Sequence, residues 1–237
     1  VYKSTDGAEN WARIWEGENL ARYVWVDPRD SERIYVSTGI FDRDAANSDI
    51  PNGVPGGVGI LRSDDGGKTW EVLGAKNGLR GLYVPSLFMH PEDPDILLAA
   101  VTSPALSTGE EGVYVTNDGG DTWQKSLGVE SGLSMDAVEV STSDPDVWYA
   151  ASENVIFRSE NAGQTWQQYR MVAPDRVAGM PIDLQVDPRD PYRIFVNSYN
   201  GGNLMSTDGG ETWQDASHGY TGLRVHAIGV APGAGQT

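Results

Sequence analysis

Carboxylates are the side chains of this sequence best placed to do chemistry, and many of them fall in one recurring eight-residue phrase. It reads Ser63-Asp64-Asp65-Gly66-Gly67-Lys68-Thr69-Trp70. It returns around Asp6 and Trp11, Asp118 and Trp123, Asn161 and Trp166, and Asp208 and Trp213. An Asp two positions after a Ser or Thr could serve as an acid or base. It could equally accept backbone N–H bonds inside its own turn, with Gly supplying the positive φ that the turn needs. Copy number separates the two readings, because one active site does not use its acid five times. Asp6, Asp65, Asp118, Asn161 and Asp208 are therefore turn-closing groups. The Trp that ends each phrase is expected to bury its ring, roughly 150–250 Å², between neighbouring sheets. Asn161 keeps the acceptor oxygen without the charge, so its turn should hold more weakly. Ala8 stands where the other copies carry a second Gly, and φ > 0 strains Ala. The first turn is expected to be looser.

Other oxygen ligands crowd the stretch Asp42-Arg43-Asp44-Ala45-Ala46-Asn47-Ser48-Asp49-Ile50-Pro51-Asn52-Gly53. A calcium loop of the EF-hand type fails here, since Ala46 and Gly53 occupy its fifth and twelfth positions. A solvated acidic loop fits better. His90, His218 and His226 lack metal-ligand spacing, and no metal or cofactor is expected. The triplets Gly78-Leu79-Arg80, Gly132-Leu133-Ser134 and Gly222-Leu223-Arg224 recur before apolar strands. Their Leu reads as a plug. Arg80, Arg224 and Arg22 are open to two readings, as anion contacts in a central channel or as partners of the abundant acids.

The elements that position these groups follow from the spacing. The phrase-ending Trp residues lie 59, 53, 43 and 47 positions apart, a period that signals repeats. Each phrase separates two short β-type runs, as in Gly59-Ile60-Leu61-Arg62 and Trp70-Glu71-Val72-Leu73. Upstream of each later phrase lies an apolar strand, an Asp/Pro turn and a second apolar strand. Val24-Trp25-Val26-Asp27-Pro28 before Ile34-Tyr35-Val36 is one case, and Leu184-Gln185-Val186-Asp187-Pro188 before Ile194-Phe195-Val196 another. Four antiparallel strands per unit make an all-β propeller blade. Complete blades are expected over residues 20–73, 82–127, 136–170 and 181–217. Residues 1–15 form a partial blade, and 223–237 start the next. A segment of a larger propeller is the favoured reading. A closed ring pairing the two ends is the other.

The phrase resembles the Asp-box, or BNR repeat, of sialidase-like β-propellers. Sialidases also use an arginine triad and an Arg-Ile-Pro motif, which is missing here, so that activity is not expected. The run Val36-Ser37-Thr38-Gly39 followed by Gly59-Ile60-Leu61-Arg62-Ser63 is similar to the xyloglucanase-type glycoside hydrolases. That resemblance implies a catalytic Asp just after a blade's second strand. Of the matching stretches only Ala151-Ser152-Glu153-Asn154 carries a carboxylate there, so Glu153 is the one catalytic candidate. Glycoside hydrolysis needs two, and no second is evident. The photosystem II assembly factors are similar non-catalytic propellers, but their basic patch has no counterpart. Sortilin-type propellers resemble the repeat too, yet carry a Cys-rich companion module.

A net charge of −17 argues against nucleic acid and anionic membranes as partners, and the absence of Cys against disulfides, thiol chemistry and the sortilin type. No apolar run is long enough to span a membrane. Family resemblance alone implies an extracellular or cell-envelope location. Up-and-down topology puts the phrase turns and Asp/Pro turns on one face. The insertions over 39–57, 103–112 and 170–181 fall on the other, where binding residues concentrate. Asp42, Asp44, Asp49, Glu110 and Glu111, with Tyr83, Tyr199, Tyr220 and Arg224, are the expected contacts there. The expected function is a non-catalytic binding or structural scaffold for a protein or polysaccharide. Its alternative is part of a carbohydrate-active glycoside hydrolase, xyloglucanase-like, with an incomplete catalytic pair.

Overall fold

The computed structural model describes residues 1–17, 21–39, 56–102, 109–128, 134–174, 176–177, 179–199 and 202–217. Those residues form a β-propeller segment. The first complete blade pairs β3 (Ala21–Asp27), β4 (Asp30–Thr38), β5 (Ile60–Ser63) and β6 (Glu71–Leu73) in sequence order. The second pairs β7 (Tyr83–Met89), β8 (Leu97–Thr102), β9 (Gly112–Thr116) and β10 (Gln124–Gly128). The third is β11 (Ala137–Val140), β12 (Trp148–Ser152), β13 (Val155–Ser159) and β14 (Gln167–Arg170). The hairpin β15 (Val172–Ala173) and β16 (Arg176–Val177) then leads to the fourth blade. That blade is β17 (Met180–Asp187), β18 (Asp190–Tyr199), β19 (Gly202–Ser206) and β20 (Gln214–Asp215). Ahead of them all, β1 (Tyr2–Lys3) pairs with β2 (Ala12–Arg13) as a two-stranded sheet. Every pairing is antiparallel.

Period-two alternation explains how the blades stack. In the first blade Val24, Val36 and Leu61 sit side by side on one face, and Trp25, Tyr35 and Arg62 on the other. Tyr35, Ile60 and Leu73 pack on Leu87, Leu97 and Ala99 of the second blade, with Leu79 fully buried among them, as a plug should be. The same interleaving joins the second blade to the third and the third to the fourth. Fully burying one such aliphatic side chain contributes about 1.5–3 kcal/mol.

The box chemistry repeats with little variation. Ser63 Oγ accepts the Gly67 N–H at 2.8 Å and donates to Asp65 Oδ1 at 2.9 Å. Asp65 accepts the Thr69 N–H at 2.8 Å and the Thr69 hydroxyl at 2.7 Å. In the fourth box the side-chain pair reverses, and Asn161 Nδ2 donates to Thr165 Oγ1 at 2.8 Å. The first box is not looser, contrary to expectation. Asp6 accepts the Asn10 N–H at 2.9 Å, and the Asn10 amide at 2.7 Å replaces the missing Thr hydroxyl. Ala8 bears the predicted strain at φ 72°. Ring burial varies more than expected. Trp123 and Trp213 are buried, Trp70 and Trp166 half-buried, and Trp11 is 60% exposed.

Boxes are also tied from blade to blade. Lys3 Nζ, Arg62 and Arg158 donate to the carbonyls of Gly66, Gly119 and Gly209, the same position in the second, third and fifth boxes, each one box downstream of the donor. Val115 holds that place in the second blade, where Ser126 Oγ reaches the Gly163 carbonyl at 2.6 Å instead. The turns after the inner strands share one device as well. Asp27 and Asp187 accept the N–H two residues on. Ser141 Oγ and His90 Nδ1 do the same in the other two blades.

Candidate functional site

The inner strands β3, β7, β11 and β17 run side by side, and each starts at the insertion-loop end. Polar side chains gather at that end. Tyr23 on β3 donates to Asp183 Oδ1 on β17 at 3.1 Å, and Arg22 donates to the Ile182 carbonyl. Burial, then the Asp183 charge, pushes the Tyr23 hydroxyl up to about 12, which keeps it a donor. Toward the opposite end of these strands, Glu139 on β11 accepts the Val186 N–H at 2.9 Å, and burial pushes its carboxyl well above the usual range.

Asp136 and Glu153 stand together at the mouth of the third blade. Asp136 precedes β11 and is 6% exposed. Burial pushes its carboxyl up to about 6, and the nearby Glu153 charge adds to the push. Hydrogen bonds from Ser134 and the Glu153 backbone, and the Arg22 charge, oppose it. The Glu153 N–H lies 3.5 Å from Asp136 Oδ2. Glu153 itself is exposed in the two-residue turn between β12 and β13, at φ 46°. A positive φ is uncommon outside Gly and stores local strain. The Asp136 N–H donates to the Ala151 carbonyl at 2.9 Å, and the buried hydroxyl of the next residue, Ser152, has no hydrogen-bond partner among the described residues. Together these give a buried carboxyl that holds its proton up to about pH 6 beside an exposed carboxyl. That is a division of labour suited to acid–base chemistry.

Asp136 is the residue that the sequence reading missed. Glu153 does have a carboxyl companion, 17 positions upstream in sequence and adjacent through strand pairing. The register of the apolar runs around Ala137 and Ala151 was the available signal. Other expected contacts fare differently. Tyr83 is buried, with its hydroxyl accepting the Gly56 N–H at 3.0 Å, so it presents no stacking surface. Glu111 is buried as well. Glu110 accepts the Tyr114 hydroxyl and pairs with Arg80, in line with the acid-partner reading of that Arg. Tyr199 is half-buried at the end of β18. Asp42, Asp44, Asp49, Tyr220 and Arg224 lie outside the described residues. Among the described residues no group of three or more His, Cys, Asp or Glu could hold a metal ion.

Comparison with known proteins bears on the fold. The probable oligoxyloglucan-reducing end-specific xyloglucanase of Neosartorya fischeri is 26% identical over 92% of this chain. Xyloglucanase Xgh74A of Acetivibrio thermocellus is 25% identical over 95% of it. The chain spans 24% of the length of each relative. The crystal structure of an ancestral GH74 enzyme shares the fold, with a TM-score of 0.70 at 20% identity, covering 94% of this chain and 29% of that one. The lack of Cys does not exclude a sortilin-type propeller, because a family model of that type matches nearly the whole chain. The Sortilin-Vps10 family (Sortilin, neurotensin receptor 3) matches residues 1–128 and 111–227, and the chain belongs to that family.

Proposed function

We propose that this chain is a propeller portion of a carbohydrate-active glycoside hydrolase of the xyloglucanase type, with its insertion-loop face toward the polysaccharide. The observation that carries the reading is Asp136 beneath Glu153 at that face, a pair of carboxyls in unlike environments. Asp136, buried and with its carboxyl raised to about 6, suits proton donation to a leaving glycosidic oxygen. Glu153, exposed, suits the second carboxylate that such a reaction requires. Likeness to xyloglucanases along almost the whole chain supports the same reading. A polysaccharide is met outside the cytoplasm, so an extracellular or envelope location belongs to this proposal.

The deep burial of Asp136 favours a second reading, a face that binds polysaccharide without cleaving it. Hydrolysis of xyloglucan oligosaccharides by the protein and by its Glu153→Gln and Asp136→Asn variants separates the two. Hydrolysis predicts turnover that falls about 10²–10⁴-fold in Glu153→Gln. Binding by wild type and variants alike, with no turnover, would leave only the scaffold. Neither binding nor turnover would exclude both.

A further inference from the structure

One inner strand is uncovered where the other three are not. Val24 and Val26 on β3 are exposed, whereas Leu87 and Met89, Val138 and Val140, and Leu184 and Val186, in the same places on β7, β11 and β17, are buried in clusters shared with the preceding blade. In each covered case a side chain of the preceding inner strand also bonds the backbone. Trp25 Nε1 donates to the Leu87 carbonyl at 2.6 Å, Ser86 Oγ accepts the Val138 N–H at 3.2 Å, and Glu139 accepts the Val186 N–H. The fourth blade carries Gln185 in the place of Trp25 and Glu139, half-buried, with its amide turned back to the carbonyl of its own neighbour Leu184. Beside it Phe195 and Met205 are half-buried, in the places of Tyr35 and Arg62, which bond the Gly119 carbonyl of the next blade. These two faces bound one gap. It is tied at the insertion-loop end by Arg22 on the Ile182 carbonyl and Tyr23 on Asp183 Oδ1, and at the box end it shows Val24 and Val26.

Residues 218–237 lie outside the described residues. Their sequence contains Gly222-Leu223-Arg224 and then Val225-His226-Ala227-Ile228-Gly229-Val230-Ala231-Pro232. Aligned on Pro28, Pro91 and Pro188, Ile228 and Val230 take the places of Val24 and Val26, and Ala227 and Gly229 those of Tyr23 and Trp25. We propose that residues 225–231 lie in the gap as a further inner strand, with Ile228 and Val230 toward the fourth blade and Ala227 and Gly229 toward Val24 and Val26. Alternation gives an extended strand one apolar face for each wall. Small side chains on the β3 side allow its backbone close to the two valines. Gln185 fits the same arrangement. Trp25 can only donate, and its partner is the carbonyl in the place of Ile228. Glu139 accepts, and its partner is the N–H in the place of Val230. A Gln amide has a donor and an acceptor. It can therefore serve the Ile228 carbonyl and the Val230 N–H, which lie on one edge of an extended strand. The proposal does not depend on the hydrolase reading.

The chain has no Cys, so an introduced pair reports without background. Oxidation of the full chain carrying Gln185→Cys with Ile228→Cys, or Val24→Cys with Ala227→Cys, should form a bridge within one molecule. Gln185→Cys with Ala227→Cys should bridge several-fold less, because a step of one residue turns the side chain to the other face and a disulfide tolerates little misplacement. Mass spectrometry identifies each bridge, and size-exclusion chromatography separates bridges within a molecule from those between two. In the unaltered chain, labelled at its methyl groups, a nuclear Overhauser effect should join Ala227 to Val24, so the test stands even if a Cys variant does not fold. Absence of that effect would overturn the proposal. So would equal bridging by all three pairs. Bridges formed only between two molecules would overturn it as well, since a second copy would then supply the strand.

Discussion

The first box and the last have nearly the same hydrogen bonds and different surroundings. Ser4 and Asp6 close their turn as Ser206 and Asp208 do, with bonds of 2.8–2.9 Å to the same backbone positions. Yet Trp11 is 60% exposed and Trp213 4%. The inner strands show the same contrast. Val24 and Val26 are 53% and 46% exposed, whereas Leu184 and Val186, which stand in their places in the fourth blade, are 2% and 6%. The third blade covers the fourth, while Val1, Ile14 and Trp15, which flank β1 and β2, pack on β4 and β5 of the first blade and not on β3. Turn chemistry is therefore local to eight residues. Burial is supplied by the preceding blade.

The strongest way to break this comparison is to truncate the two rings. Trp213→Ala should cost about 3–5 kcal/mol, as large-to-small changes in a core do. Trp11→Ala should stay within about 1 kcal/mol, because little packing is lost at an exposed site. Urea unfolding of both variants checks the pair. Equal losses would mean that the box Trp stabilises through its own turn and not through its neighbour.

Next in size is a contrast in pH response between the two ends of the blades. At the insertion-loop end, Asp136 has its carboxyl raised from 3.8 to about 6. The folded state then binds that proton more tightly than the unfolded chain. Stability from this group is intact below about pH 4 and declines as pH rises through 6. Asp136→Asn removes the decline and should stabilise the fold near neutral pH by up to about 3 kcal/mol, at the expense of the proposed chemistry. At the box end the sign is opposite. Hydrogen bonds from the Thr69 side chain and backbone hold Asp65 down at about 2. Its contribution is present above pH 4 and fades as pH falls toward 2. Thermal melts from pH 2 to 8 should show both limbs, with Asp136→Asn altering only the upper one.

Legibility in the sequence divides along the same line. The fold could be read because Asp65, Gly66 and Trp70 each have a local reason to recur, and strand, turn and strand follow in order. The His90 turn could not be foreseen, since an imidazole nitrogen there takes the part played by Asp27 and Asp187. Half of the candidate pair was legible as well. Glu153 came from its place after a second strand, but Asp136 lies just before another strand and joins it only through the pairing of β11 with β12. Tyr83 misled because an aromatic beside an insertion reads as a surface group, while the backbone around Gly56 closes over it.

The smallest effect gives the finest test of what the preceding blade supplies. The fifth box position is left-handed in each copy, at φ 72° for Ala8 and 93° for Gly67. Conformational strain alone would penalise Ala equally at both. Space does not. A Cβ on Gly67 would lie 2.6 Å from Ile14 Cδ1, a side chain that packs against the first complete blade, and one on Gly120 would lie 2.6 Å from Leu73 Cδ1. Ala8 is exposed, with no upstream side chain packed against it among the described residues. Ala8→Gly should therefore recover only the strain, stabilising by about 1 kcal/mol. Gly67→Ala should lose that amount plus the displacement of Ile14, roughly 2 kcal/mol or more. The difference between the two, read from chemical unfolding midpoints, measures the packing share by itself. If the two changes proved equal and opposite, the second Gly would be required by the turn alone, and the blade contact would play no part in keeping it.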